Sequence, residues 1–181
     1  FLSGYVFSQL NLEISPLLLF ALLYLPILPV SLLARHRYGI ASPFEEMELS
    51  IAGLDGNTKK KPFSLDELIF SASETMVMIG GYIMLFSILA LWLQQVPYLS
   101  AQVLAVLSGV LEITTGVNQL CSVFPAGTAL LPVVAIVAFG GCSGIFQTKI
   151  VTSNARLSPR HYVMWQFVHT LTASILLILL S

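Results

Sequence analysis

Charge is what this sequence has least of. Only 9% of its 181 residues are Asp, Glu, Lys or Arg, where a water-soluble domain carries roughly a quarter. So few charges cannot clothe a soluble globule, which excludes an ordinary cytosolic enzyme. With two cysteines a disulfide scaffold is excluded as well, and 56% hydrophobic residues exclude a disordered chain. The net charge of −1 offers a nucleic acid nothing to bind. There is no Walker or dinucleotide motif, no Gly-x-Ser-x-Gly elbow and no His or Cys pair at zinc-ligand spacing. Neither an enzyme, nor a cofactor, nor a metal site is therefore expected. The remaining class is integral membrane protein, with the lipid bilayer as its first partner.

The charges present are clustered. Twelve of the seventeen fall between Arg35 and Glu74, and from Thr75 to Thr148 there is one, Glu112. A hydrocarbon core about 30 Å thick takes roughly 20 apolar residues per helix. In lipid the backbone must satisfy its own hydrogen bonds, and the apolar runs here are continuous rather than alternating, so helices are expected and a β-barrel is not. The fold class is an all-α, polytopic membrane bundle with broken or re-entrant helices.

The chain divides into a first span with its flanks over residues 1–37, a polar loop over 38–63, and a larger helical domain over 64–181. Ser15 suits an N-cap with Pro16 as first helical residue, while Pro26 and Pro29 should kink or loosen the second half of that span. Ser64 and Glu67 form a capping box for a helix of some thirty residues reaching Gln94. Val96-Pro97 breaks the chain. A third span begins near Tyr98, a short apolar run covers 128–139, and 162–180 reads as a plain span.

Basic residues gather on the cytoplasmic side, so Arg35, Arg37 and Lys59 to Lys61 place the loop inside. If the third and fourth runs both crossed, Arg156 and Arg160 would lie outside. A re-entrant segment over 128–154, with its tip at Gly140 to Gly144, keeps them inside; one long glycine-interrupted helix is the alternative.

Two constellations can carry chemistry. Glu112 is an ionisable group in an apolar run, and at helical spacing Glu112, Thr115, Gly116 and Gln119 share one stripe. That stripe contacts a substrate or ion, or it joins two helices. The second is Gly140-Gly141-Cys142-Ser143-Gly144, with Gln147 and Lys149 just beyond it. A half-helix starting near Ser143 would offer its positive end to an anion, with Lys149 a turn or two on. The plainer reading is close helix packing through small residues. His169, beside Gln166 and Thr170, reads as an interhelical hydrogen bond, and Cys121 and Cys142 as buried packing thiols.

The run Ser73-x-Thr75, Ile79-Gly80-Gly81-Tyr82-Ile83, Phe86-Ser87, then Leu111-Glu112-Ile113-Thr114-Thr115-Gly116, then Phe139-Gly140-Gly141-Cys142-Ser143-Gly144 with Gln147 resembles the YlbJ/SpoVV-type sporulation integral membrane proteins. These carry the nucleoside-recognition, or Gate, domain. The likeness covers about residues 65–180. It implies a transporter in a bacterial inner membrane, or the outer forespore membrane, moving a small organic anion such as dipicolinic acid. A nucleoside or nucleobase is the alternative substrate, and a non-transporting scaffold subunit the alternative role. Family members are about twice as long and no Met opens this chain, so a C-terminal half is expected, partnered by the missing N-terminal half or a second copy. The substrate-binding residues implied are Glu112, Thr115, Gly116, Gln119, Gly140, Gly141, Ser143, Gly144, Gln147 and Lys149.

Overall fold

The computed structural model describes residues 15–38, 65–151 and 158–180, and all regular structure among them is helical. The loop over 38–63, Ser64 of the capping box, Lys59 to Lys61 and Arg156 lie outside the described residues, apart from Tyr38, which ends a helix. Eight helices run in chain order among the described residues: α1 Pro16–Tyr24, α2 Ile27–Tyr38, α3 Leu65–Leu93, α4 Ala101–Leu111, α5 Ile113–Val123, α6 Ala126–Phe139, α7 Gly141–Val151 and α8 Pro159–Leu180.

Local chemistry sets the boundaries. Ser15 Oγ accepts from Leu17 N at 3.3 Å and Pro16 opens α1. Pro26 has no N–H to give to Leu22 four residues back, so α1 ends there and α2 restarts at Ile27. Leu17–Arg37 nevertheless remains long and apolar enough to cross a membrane. So do Leu65–Leu93, Gly127–Val151 and Pro159–Leu180, which makes four candidate crossings among the described residues. Ser100 Oγ accepts from Val103 N at 3.4 Å and starts α4 after the Val96-Pro97 break.

The third apolar run is not one helix. At Glu112 the backbone swings to φ −147° and ψ 127°, closing α4 and opening α5. These two helices then pack along one another, the most extensive pairing in the bundle. The contact is glycine on glycine: a Cβ on Gly116 would land on the Cα and N of Gly109. Small residues let helix backbones approach this closely.

The glycine cluster breaks the fourth run differently. Gly140 has φ +80° and Gly141 φ +65°, the left-handed region that suits glycine. Gly140 ends α6 with its N–H on Ile136 O at 3.1 Å, and α7 leaves in a new direction. Helix α6 packs on α8, α5, α4 and α1, while α7 packs on α3, α4 and α8. Helices α6 and α7 do not pair with one another as α4 and α5 do, so the chain makes an elbow here and folds back at Glu112 instead. The tip expected at Gly140 to Gly144 is thus displaced. Two consecutive left-handed glycines bend a helix, whereas an extended residue flanked by a glycine pair at Gly109 and Gly116 reverses it.

Two apolar clusters hold the bundle. Ala105, Val117, Leu120, Ala129, Val133 and Ile136 join α4, α5 and α6. Leu19, Leu22, Leu23, Leu130, Val134, Ala138, Ala173 and Leu177 join α1, α6 and α8. Phe146 of α7 packs on Tyr82 and Phe86 of α3, with ring centroids 5.4 and 5.3 Å apart. Helix α6 is the hub, central to both clusters.

Candidate functional site

Glu112 is only 3% exposed and caps the helix it begins. Its Oε1 accepts from Thr114 N at 3.0 Å, and its Oε2 from Thr115 N at 2.7 Å and Thr114 Oγ1 at 2.6 Å. The two backbone donors belong to the otherwise unpaired first turn of α5. A carboxylate at a helix N-terminus also meets the favourable end of the dipole. The acid is therefore held by its own segment, through three short bonds.

The stripe expected along one helix from Glu112 through Thr115 and Gly116 to Gln119 is interrupted, because α4 stops before it and Glu112 has extended backbone. Within α5 the last three separate in role. Thr115 Oγ1 donates to Ser87 Oγ of α3 at 3.4 Å, Gly116 sits against Gly109, and Gln119 lies half-buried three to four residues further along. Ser108 of α4, fully buried, donates to Ala90 O of α3 at 3.4 Å. Ser87, which the family-like pattern includes, and Ala90, which it does not, thus anchor the hairpin.

The two breaks meet. A Cβ on Gly141 would stand 3.5 Å from the carbonyl oxygens of Gly109 and Leu111 and 3.4 Å from Ile113 Cγ1. The start of α7 lies against the end of α4, positive end against negative end, in van der Waals contact. Gly141 and Ser143 are buried there; Gly144 has open space on its Cβ side, and Gln147 is half-buried. Glu112, Thr115, Gly116, Gly140, Gly141 and Ser143 are thus gathered around one junction. Lys149 is not: it is exposed and lines a small hollow with Met78, Tyr82, Phe146 and Ile150. It stands apart from Glu112, whose carboxylate is held within the hairpin.

Gly140 also borders a second feature, on the opposite side of the elbow. A cavity of about 530 Å³ opens between α1, α2, α6 and α8, lined by residues from Leu23 to Ala34, by Val137, Ala138 and Gly140, and by Tyr162, Trp165, Gln166 and His169. His169 crosses its floor. Its Nδ1 lies 3.1 Å from Ala138 O and its Nε2 2.9 Å from Leu23 O, in the last turns of α6 and α1. The expected interhelical hydrogen bond is therefore a bridge to two helices. Both partners are acceptors, so a neutral ring donates to one and an imidazolium to both. Gln166 Nε2 donates to Tyr162 OH at 2.5 Å, and Thr148 Oγ1 donates to the same oxygen at 3.2 Å. The Tyr162-x-x-x-Gln166-x-x-His169 spacing, one polar stripe on an otherwise apolar span, is the signal that could have located this wall.

Replacing His169 with Leu removes the donor that a neutral ring gives to one of these carbonyls, and that an imidazolium gives to both, at a cost of about 1–3 kcal/mol for each buried group left without one. The expected result is a lower unfolding temperature in detergent, with His169→Gln, whose amide can still donate to one of the two carbonyls, less affected than Leu.

Comparisons with protein-family models, with curated proteins and with solved structures find no match.

Proposed function

We propose that this chain forms all or part of a membrane transport protein for a small organic anion, in which the α4–α5 hairpin is a re-entrant element. One observation carries the reading: two interrupted helices, at Glu112 and at Gly140-Gly141, touch at their broken ends inside the bundle. Interrupted helices are where transporters place substrate and coupling-ion sites, because their ends present unpaired backbone groups away from lipid.

The re-entrant assignment rests on length and charge. At about 1.5 Å per residue, the 11 residues of α4 and of α5 each reach only about 16 Å, roughly half of a hydrocarbon core. A hairpin that enters and leaves on one side lets the α6–α7 unit cross fully. Arg35, Arg37, Lys149 and Arg160 then all fall on the cytoplasmic side, and the charge rule is met without a re-entrant segment at Gly140. Substrate access requires Gly141 to part from the carbonyl oxygens of Gly109 and Leu111, so the described arrangement corresponds to a closed state. Dipicolinate is the first substrate to test, on the resemblance to the sporulation family, and uridine the second.

A non-transporting packing subunit is favoured by a different observation. Glu112 is engaged by its own helix and the junction is tightly packed. Uptake into proteoliposomes separates the readings. Transport predicts saturable accumulation of radiolabelled dipicolinate or uridine, abolished by Gly141→Val, which wedges the junction. Accumulation of neither compound above empty vesicles leaves the packing role. Lys149→Ala is expected to leave uptake within about twofold, since the lysine stands away from the junction.

A further inference from the structure

We propose that the cavity between α1, α2, α6 and α8 holds one acyl chain of an anionic phospholipid, whose phosphate rests among Arg35, Arg37 and Arg160. This inference is independent of transport.

The wall is mostly apolar and suits hydrocarbon. Leu23, Ile27, Val30, Ala34, Val137 and Ala138 supply apolar surface. Three of the hydrophilic side chains on the wall are engaged within the protein: Ser31 Oγ donates to Leu28 O at 2.8 Å, Gln166 donates to Tyr162, and both His169 nitrogens face carbonyls. Among the described residues no Asp, Glu, Lys or Arg lines the cavity. A ligand entering it gains contact area and few hydrogen bonds.

The mouth has the opposite character. The α1–α2 segment and α8 run antiparallel along the cavity, because Leu23 meets His169 at one end while Ala34 and Tyr162 line the other. Arg35 and Arg37 continue directly from Ala34, and Arg160 precedes Tyr162 by two residues, so all three come to the same end. Each is exposed, and none pairs with a described carboxylate. The described carboxylates are Asp66, Glu67 and Glu74 on α3 and Glu112 at the hairpin. Helix α3 packs on α7, α4 and α5, on the other side of the bundle. Three cations unopposed by any described acid thus cap an apolar slot, with Tyr162 and Trp165 beside them, the aromatic types that favour the head-group level. Basic pockets between spans on the cytoplasmic side recognise anionic head groups.

The test is native mass spectrometry of the delipidated full chain, titrated with palmitoyl-oleoyl phosphatidylglycerol or the matching phosphatidylcholine. The expected result is one retained phosphatidylglycerol, favoured over phosphatidylcholine by about tenfold or more. The combined Arg35→Gln, Arg37→Gln and Arg160→Gln variant removes the preference, and Ala34→Phe, which narrows the slot, weakens both lipids. Equal retention of the two lipids by the wild-type chain overturns the proposal and needs no variant. Displacement of the lipid by inorganic phosphate or glycerophosphoglycerol at similar concentrations also overturns it, because the acyl chain would then contribute nothing.

Discussion

Gly116→Ala is expected to dismantle the hairpin. The added methyl would overlap the Cα and N of Gly109 and stand 3.0 Å from the Ser108 carbonyl carbon. These are backbone atoms, so no rotamer change relieves the clash and α4 and α5 must separate. Overpacking in a core costs about 1–3 kcal/mol where side chains can yield; against backbone the upper end of that range or more is expected. Gly109→Ala is the graded comparison, since its methyl meets the Ile136 side chain at 2.8 Å, which can shift. Gly80→Ala and Gly127→Ala have nothing within 4 Å and are expected to be neutral or slightly stabilising, by up to about 1 kcal/mol within a helix. Unfolding temperatures and monodisperse yield in detergent give the order. Equal behaviour of Gly116→Ala and Gly80→Ala would refute the glycine contact.

Glu112→Ala is expected to have the next largest effect. It removes both oxygens that receive Thr114 N, Thr115 N and Thr114 Oγ1, leaving two backbone donors at the hairpin tip without partners. Loss of a cap together with a stranded buried donor amounts to about 2–3 kcal/mol. Glu112→Gln turns one acceptor into a donor facing donors and should fall close to Ala, while Glu112→Asp retains the carboxylate one methylene shorter. Stability measured by thermal unfolding should therefore rank wild type, Asp, then Gln and Ala. Uptake measured beside it separates a cap from a proton carrier. A cap loses uptake in step with stability. A proton carrier loses uptake in Gln under conditions where the protein stays folded.

The sequence made the crossings legible and the breaks partly so. Continuous apolar runs located three of the four candidate spans, because lipid leaves helix as the only economical state of such segments; the fourth, Gly127–Val151, was expected first as a re-entrant segment, and the run from Tyr98, expected to cross, is instead split into two short helices. Ser15 and the proline at 26 act at short range, and their effects are seen where local chemistry puts them; the Ser100 cap, equally local, went unread. The position of the fold-back was not legible. Glu112 in a helical stripe and Glu112 as an N-cap have the same neighbours in sequence; Gly109 against Gly116, an event seven residues apart in sequence but across a helix pair in space, decides between them. The glycine cluster carried the stronger break signal and delivers only an elbow. At the candidate site, the gathering of the acid and the glycines was foreseeable from composition, since polar and unwound elements avoid lipid together. That Lys149 stands apart was not, because its direction depends on the Phe146 contacts that orient α7 on α3.

The extended backbone at Glu112 also bears on how the protein is assembled. A strand-like kink with carbonyl oxygens of Gly109 and Leu111 beside it is untenable in bare hydrocarbon, and the surface that shields it belongs to residues synthesised later, at Gly141. In the re-entrant arrangement proposed above, the hairpin is expected to wait at the head-group boundary while the α6–α7 unit is laid down, and to slide into the bilayer only once that elbow offers cover. Truncating the chain ahead of Gly140 should leave a nascent product whose residues 101–123 remain open to aqueous thiol or protease probes, and completing it should close them off.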